Sequence, residues 1–522
     1  MGYDVRYLLL FLLPLCIFAK PFKVASYNVE NLFDAEYVGT EYDDYTVKHN
    51  WTKRMVDIKL NHTAEVICDL DADILGLQEV ENDHILQQLM TRLDQLGCPY
   101  RYSAITHKKD APIQVALLSR YPITKQNELQ VSAAAGVRNI LEVEVDIKGH
   151  PLTLFVNHWK SKSYEGYESK RMKYAKALQS RIAKMPQNKE YIILGDFNSD
   201  YNAYLTLEKR INDTDGKTAF NDVLKTKVGA HLVEDDEMLK ADRGVHYTLW
   251  QELPPEQRWS HKFYGKRSSL DHIVLPKQMF DGKGVDYVNN SFNVFKKSYL
   301  FTKQGYINKW DYKNGKHRAK GYSDHLPIYA YFDTKPYIAE NKTKRIKKTE
   351  RKPIEYLYER ESLEGKIQLD DVVVVLKRGR NAVVKQRADG RGIYLYGCAD
   401  SLKEGHSYDL LIEGIKTYHG LKEITHAYKL KEKGVVNSEK YILPTDSFPS
   451  KTIRQNEVIK GISGTYRDHF LYLNDKKIPV YFKNKKLTPA NGSRLKIHYA
   501  HLGYYKKLQV VIYTKKDFEV LE

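Results

Sequence analysis

Cysteine and long apolar runs are both scarce in this chain. Four cysteines among 522 residues exclude a scaffold built on disulfides, which needs far denser cysteine. No stretch reaches the roughly 18 consecutive apolar residues of a membrane helix, so a polytopic membrane protein is excluded as well. Glycine (30) and proline (17) are too few for a collagen-like or low-complexity chain. What is left is a globular composition, 42% apolar and 29% charged, long enough for about three domains.

Acid is in short supply in one region only. Lys and Arg number 83 against 66 Asp and Glu, a net charge of +17, and residues 341–522 carry +15 of it. The first two-thirds is nearly neutral. A basic module of this kind points to a polyanionic partner, nucleic acid or an acidic membrane.

At the N-terminus, Leu8–Ala19 is a 12-residue apolar block after Arg6 and before Lys20 and Pro21. Its length fits the apolar core of a secretory signal and is too short to span a bilayer. A signal peptide over residues 1–19 is expected, and with it an exported protein, periplasmic or extracellular. The mature chain then keeps Cys68, Cys98 and Cys398. An odd number leaves at least one unpaired within the chain. For Cys68 and Cys98, a bridge and two ordinary core cysteines both remain open.

From Pro21 to about Tyr337, short apolar runs alternate with amphipathic stretches, as in an α/β domain. Strands are expected at Lys23–Asn28, Ile74–Glu79, Val115–Ser119, Leu152–His158, Tyr191–Asp196, Leu270–Leu275 and Leu326–Phe332. Helices are expected at Lys53–Leu70, Asp83–Leu96 and Lys170–Ala183. Seven of the twelve residues from Asn341 to Lys352 are Lys or Arg without apolar periodicity, which reads as part of a basic linker over 338–362. Beyond it a loose repeat recurs after about 85 residues: Gly392–Tyr396, Tyr408–Leu411 and Tyr418–Thr425 answer to Lys477–Tyr481, Arg494–Ile497 and Gly503–Val510. Each copy has about five strand-like segments and almost no helix. Two small all-β barrels are expected, over 363–435 and 450–522, with a likeness to the OB-folds appended to secreted bacterial nucleases.

Polar residues sit at the ends of the apolar runs. Asn28, Glu79, His158 and Asp196 each close one; Asp271 begins one, and Asp324 and His325 precede another. Strand ends expose functional groups without burying charge in the core. With strands running in both directions, these ends share one rim. Four crowded carboxylates repel unless cations neutralise them, and an oxygen-rich site suits Mg²⁺, with Mn²⁺ or Ca²⁺ as alternatives, rather than zinc. Two histidines beside it supply a proton acceptor and a donor near neutral pH. The chemistry expected is metal-assisted hydrolysis of a phosphate ester.

These residues lie in six ordered motifs: Ser26–Asp34 (SYNVENLFD), Leu77–Asn82 (LQEVEN), Val156–Lys162 (VNHWKSK), Ile193–Ser199 (ILGDFNS), Ser269–Ile273 (SLDHI) and Tyr322–Pro327 (YSDHLP). The set resembles the endonuclease/exonuclease/phosphatase superfamily, most closely its bacterial extracellular nucleases. The resemblance implies a four-layer α/β/β/α sandwich over residues 20–337. It implies Glu79 as principal metal ligand with Asn28 beside it, Glu30 as a further participant, and Asp324 supporting a second metal. Asp196 and Asn198 would position water and phosphate. Asp271 would fix the tautomer of His325, which acts on the nucleophile, while His158 stabilises phosphoryl oxygens or protonates the leaving group. Arg138 is a candidate phosphate ligand, and Thr106–Pro112 departs from the family by offering only Asp110 as a partner for His158. The loop 35–60, acidic and aromatic, reads equally as a wall of the site or a surface insertion.

The sequence therefore points to an exported, Mg²⁺-dependent nuclease, a monomer acting on DNA first and on RNA as a further substrate. Tyrosines of the basic third (394, 396, 418, 466, 472, 504 and 505) are candidates for base stacking. The alternative is a phospholipid phosphodiesterase or an enzyme like the inositol phosphatases.

Overall fold

The computed structural model describes residues 21–334, 347–443, 454–473 and 476–521. The expected signal peptide and the first part of the expected linker lie outside them. The chain divides into two compact units. One comprises Met1–Tyr201, Lys209–Leu253 and Trp259–Lys344, the other Asn202–Glu208, Pro254–Arg258 and Arg345–Glu522.

The first unit is built on two mixed sheets. One has the strand order Asp286–Tyr287, Ile328–Asp333, Phe22–Leu32, Ile74–Val80, Gln114–Ser119, Tyr102–Ile105. The other runs Tyr247–Thr248, Asp271–Leu275, Tyr191–Asp196, His150–His158, Ile140–Ile147, Ile123–Leu129. Their inner faces pack so closely that a Cβ on Gly76 would lie 2.7 Å from the Leu194 side chain, which is why the LGLQEV strand carries glycine there. Helices Lys53–Leu70 and Asp83–Gln95 pair with each other at the first sheet, and Glu168–Ala183 packs with the π-helical turn Ala219–Val223 at the second. The first two helices start at side-chain caps, Thr52 accepting from the Met55 amide and Asn82 from the Ile85 amide. The expected α/β/β/α layering is the one observed.

Cys68, in the first helix, and Cys98, just beyond the second, form a disulfide that ties these two helices together, with their Cα atoms 5.6 Å apart. Cys398 is free and half-buried. Among the described residues no helix is long and apolar enough to cross a membrane.

The second unit holds two closed five-stranded barrels. The first uses Gly365–Arg378, Asn381–Lys385, Gly392–Leu395, His406–Tyr418 and Leu421–Val435. Its first strand pairs with the second and the fourth, and its third runs parallel to the fifth. The second barrel repeats this order with Val458–Arg467, Phe470–Leu473, Lys476–Phe482, Arg494–Tyr505 and Lys507–Ile512. Each is filled by its own inward-facing residues, such as Val374, Leu395 and Ile424 in one and Leu471, Val480 and Val510 in the other.

The basic stretch before the first barrel is not wholly a linker. Lys347–Arg351 forms a strand parallel to the first barrel strand, and the short helix Ile354–Tyr358 buries Ile354 and Leu357 in the barrel core. Two apolar residues three apart are enough to seat one turn of helix, and the lysines around them hide that signal. Of the candidate stacking tyrosines, Tyr394 and Tyr466 are buried, Tyr504 lies against Gly420, Tyr472 is half-buried, and Tyr396, Tyr418 and Tyr505 are exposed.

Candidate active site

Strand direction assembles the site. Phe22–Leu32 and Ile74–Val80 run parallel with Asn28 beside Gln78, so both end at one rim. Ile328–Asp333 runs antiparallel to the first of them and begins opposite Ser26, which returns Asp324 and His325 to the same rim. In the facing sheet the register sets His158 beside Asp196 and Asp196 beside Asp271. Six polar strand ends, far apart in sequence, come together.

Local backbone aims them. Against Gln114–Ser119 the pairing slips by one residue at Glu79, whose φ is +68°, and this bulge turns its carboxylate to the rim. Glu30, Asn31 and Asn198 also sit in the left-handed region. Such conformations are costly for non-glycine residues and persist where surrounding bonds hold them. The bonds are present. Asn31 donates its amide to Glu79 Oε2 (2.9 Å), Glu30 donates to Asn28 Oδ1 (3.0 Å) and Asn198 to Asp196 Oδ1 (2.8 Å). Gly195 has φ +132° with the Asn157 carbonyl where a Cβ would go, so the GD step of the ILGDFNS motif demands glycine.

Glu79, Asp196 and His158 form one cluster. Asn28 Nδ2 donates to both Glu79 Oε1 (3.0 Å) and Asp196 Oδ2 (3.1 Å), and His158 Nε2 lies 3.7 and 3.6 Å from the same two oxygens. Burial raises the Glu79 carboxyl and lifts that of Asp196 to about 7; for Glu79 the charge of Asp324 adds to this. Burial, with Arg138 and His325 nearby, pushes His158 well below the ordinary histidine range. Converging hard oxygen donors, short of positive charge and tied together by one amide, are what a small divalent cation fits. Glu79 and Asp196 are the carboxylates that would hold it, aligned by the Asn28 amide, with His158 Nε2 facing the same space.

A second cluster joins His325, Asp324 and Asp271. Asp271 Oδ2 lies 2.8 Å from His325 Nδ1 and also accepts from Ser260, while Oδ1 has no partner among the described residues. The other ring nitrogen of His325 faces Asp196 Oδ2 at 3.9 Å. Burial works against a charged imidazole here, but the charges of Asp271, Asp196 and Asp324 hold His325 well above the ordinary range. Asp324 is half-buried yet held low by His261 and His325. Glu30 accepts from the Trp310 amide, and burial with the charge of Asp324 lifts it to about 8.

One expectation changes. Asp110 pairs with Lys108 at 2.8 Å instead of meeting His158, whose Nδ1 is buried without a partner among the described residues. The Thr106–Pro112 stretch is thus no substitute for the acid that the family places there. Arg138 is buried and donates from Nε and Nη2 to the carbonyls of His158 and Trp159, which fixes the end of the His158 strand, and it lies near enough to Glu79 and Tyr42 for its charge to act on both. The 35–60 loop does reach the site. Tyr42 lies near enough for the charge of Glu79 to raise its hydroxyl, after burial, and Tyr45 and Trp51 pack on Phe33 and His317 behind it.

His261 is the residue that sequence reading misses. It opens a short strand, Ser260–Leu326 backbone bonding brings it to this rim, and its Nε2 is 3.7 Å from Asp324 Oδ2. No strand-end motif marks it, because it neither closes nor starts an apolar run.

Residues 23–334 match the sequence family described as the Endonuclease/Exonuclease/phosphatase family. Among solved structures, humanized D. rerio TDP2 is 15% identical, covering 60% of this chain and 99% of its own, with a TM-score of 0.39. An AP endonuclease from Archaeoglobus fulgidus is 15% identical over 60% and 99% of the two chains, TM-score 0.37. An endonuclease/exonuclease/phosphatase family protein from Bacteroides thetaiotaomicron is 14% identical over 60% and 97%, TM-score 0.36. No curated protein matches the chain.

Proposed function

The chain belongs to the endonuclease/exonuclease/phosphatase family, and on that premise we propose that it is an exported nuclease, dependent on a divalent cation and most simply Mg²⁺, that hydrolyses phosphodiester bonds of DNA or RNA. The observation that carries this reading is the meeting of Glu79, His158 and Asp196 from two sheets at one rim, with the Asp271–His325 pair beside them. A cation held there would neutralise phosphate oxygens that otherwise repel a nucleophile.

The chain's own groups do the rest. Asp196 and Asn198, locked together by the Asn198 amide, position water against the phosphorus. His325 has Nδ1 occupied by Asp271, so Nε2, which faces the site, is where it exchanges a proton. The carboxylates around it favour the charged ring; with those carboxylates neutralised by a cation, the imidazole is free to accept a proton from water there and give it back. His158 presents Nε2 to the phosphoryl oxygens and the leaving group, and Arg138 holds its strand end in place. Asp324, kept ionised by His261 and His325, is the natural support for a second cation.

The two barrels, OB-like in strand order, and the +15 of residues 341–522 favour a nucleic-acid substrate over a lipid one. Export is supported by the Leu8–Ala19 block and by the Cys68–Cys98 bridge, which belongs in an oxidising compartment. Plasmid, RNA and sphingomyelin are incubated with the protein, with and without EDTA. Nucleic acid should be cut and EDTA should stop it. Hydrolysis of sphingomyelin with nucleic acid left intact would overturn the reading.

A further inference from the structure

The second barrel carries an uninterrupted basic stretch. Residues 476–516 contain eleven Lys and Arg and no Asp or Glu, and all eleven are exposed. Alternation along its strands sorts the side chains. Leu471, Ile478, Val480, Phe482 and Val510 point into the core. Phe470 and Tyr472 of the second strand, and Lys477 and Tyr481 of the third, therefore point outward. The register sets Tyr472 opposite Lys477, side by side on that outer face.

Rings and ammonium groups interleave there. Lys477 Nζ lies 4.8 Å from the Phe470 ring centre and 5.7 Å from that of Tyr472, and Lys507 Nζ lies 5.1 Å from Phe470. Lys483 sits 5.9 Å from Tyr481, which is 46% exposed. Among the described residues no carboxylate forms an ion pair with Lys477 or Lys507, and both rest on the Phe470 ring. An exposed ammonium held only by a weak cation–π interaction moves readily to a phosphate, which frees the ring for a base.

We infer that this outer face, centred on Phe470, Tyr472, Lys477 and Lys507, binds single-stranded nucleic acid by stacking bases on the rings while the lysines follow the phosphates. Stacking requires base faces that a duplex keeps hidden, so the rings select single strands, whereas lysines alone would serve either form. A lipid surface would call for aliphatic side chains that project from the barrel, and this face carries rings set among lysines. The inference deepens the proposed function and rests on its nucleic-acid substrate.

The test uses the full chain in EDTA, with a fluorescent oligothymidylate and a duplex of equal length followed by anisotropy over a salt series. Tyr472→Ala should weaken single-strand binding about tenfold and duplex binding far less. Lys477→Glu should weaken both, and each lysine–phosphate pair removed should reduce the single-strand salt slope by about 0.7. Lys496→Glu, on the fourth strand beside Glu519, changes charge equally and serves as control. Unchanged affinity in both Phe470→Ala and Tyr472→Ala, a loss in Lys496→Glu equal to that in Lys477→Glu, or preference for anionic vesicles over the oligonucleotide would each overturn it. Hydrolysis of bis(p-nitrophenyl) phosphate in Mg²⁺ is read in parallel. Binding through this face without any hydrolysis refutes the nuclease and leaves the face standing; hydrolysis with binding indifferent to the rings does the reverse.

Discussion

His325, in the segment leading into the strand Ile328–Asp333, has Nδ1 2.8 Å from Oδ2 of Asp271, which begins a strand of the other sheet. The bond spans the sandwich and fixes which nitrogen of the ring faces the site. Asp271→Asn keeps the shape but removes the charge that holds the tautomer. Turnover on a nucleic-acid substrate should fall by about 10²-fold or more, and His325→Ala should fall at least as far. Near-normal kcat in a folded Asp271→Asn variant would refute the pairing as functional.

Glu79 is oriented by Asn28 and by the Asn31 amide, so Glu79→Gln should fold normally while losing its hold on a cation. The expected result is a large activity loss in limiting Mg²⁺ with partial recovery at high Mg²⁺. Full activity at limiting metal, measured alongside unchanged thermal unfolding, would remove Glu79 from the site.

Gly195 tests the link between fold and site. In Gly195→Ala the new Cβ would fall 2.0 Å from the Asn157 carbonyl oxygen, a neighbouring backbone atom that has nowhere to go. A loss of about 2–4 kcal/mol in urea unfolding is expected, with Asp196 displaced and activity reduced more than stability.

His246 makes stability depend on acid. It is fully buried, with Nδ1 donating to the Leu224 carbonyl and Nε2 accepting from the Tyr191 hydroxyl, and burial lowers it to about 4. The folded state therefore binds fewer protons than the unfolded one. Stability is complete above the unfolded value near 6.5 and declines from there toward pH 4, by about 1.4 kcal/mol per pH unit for this group. Urea midpoints between pH 7.5 and 4.5 should show the decline, and His246→Gln should flatten it.

The Cys68–Cys98 bridge closes a loop with a sequence separation of 30. Loop-closure entropy gives it about 3–4 kcal/mol of stabilisation. Cys68→Ser should lose that amount in denaturant titration, and reductant should affect the parent protein but not the variant.

The strands that deliver Asn28, Glu79, His158 and Asp196 are legible in the sequence because a buried strand of a sandwich reads as an unbroken apolar run, and a polar residue at its end has only the rim to occupy. The strands Ile123–Leu129 and Ile140–Ile147 are harder to read. The first lies at an edge with mostly exposed residues, and such a strand has no apolar period to reveal it. His261 is hidden for a related reason, since its position depends on a backbone bridge to His325 that no local pattern encodes.

By itself the sequence determined which residue types the rim would hold, how charge divides between the first two-thirds and the last third, and that the tail consists of a repeated β unit. These follow from composition and period, which are properties of neighbours along the chain. Only the tertiary structure decided which partners those residues find. It withdrew Asp110 from His158, tied Arg138 to the carbonyls at the end of the His158 strand, paired Cys68 with Cys98, and sorted the tail's tyrosines into buried and exposed. Each outcome is set by strand register and direction, because a shift of one residue sends a side chain to the opposite face and no local segment fixes that choice.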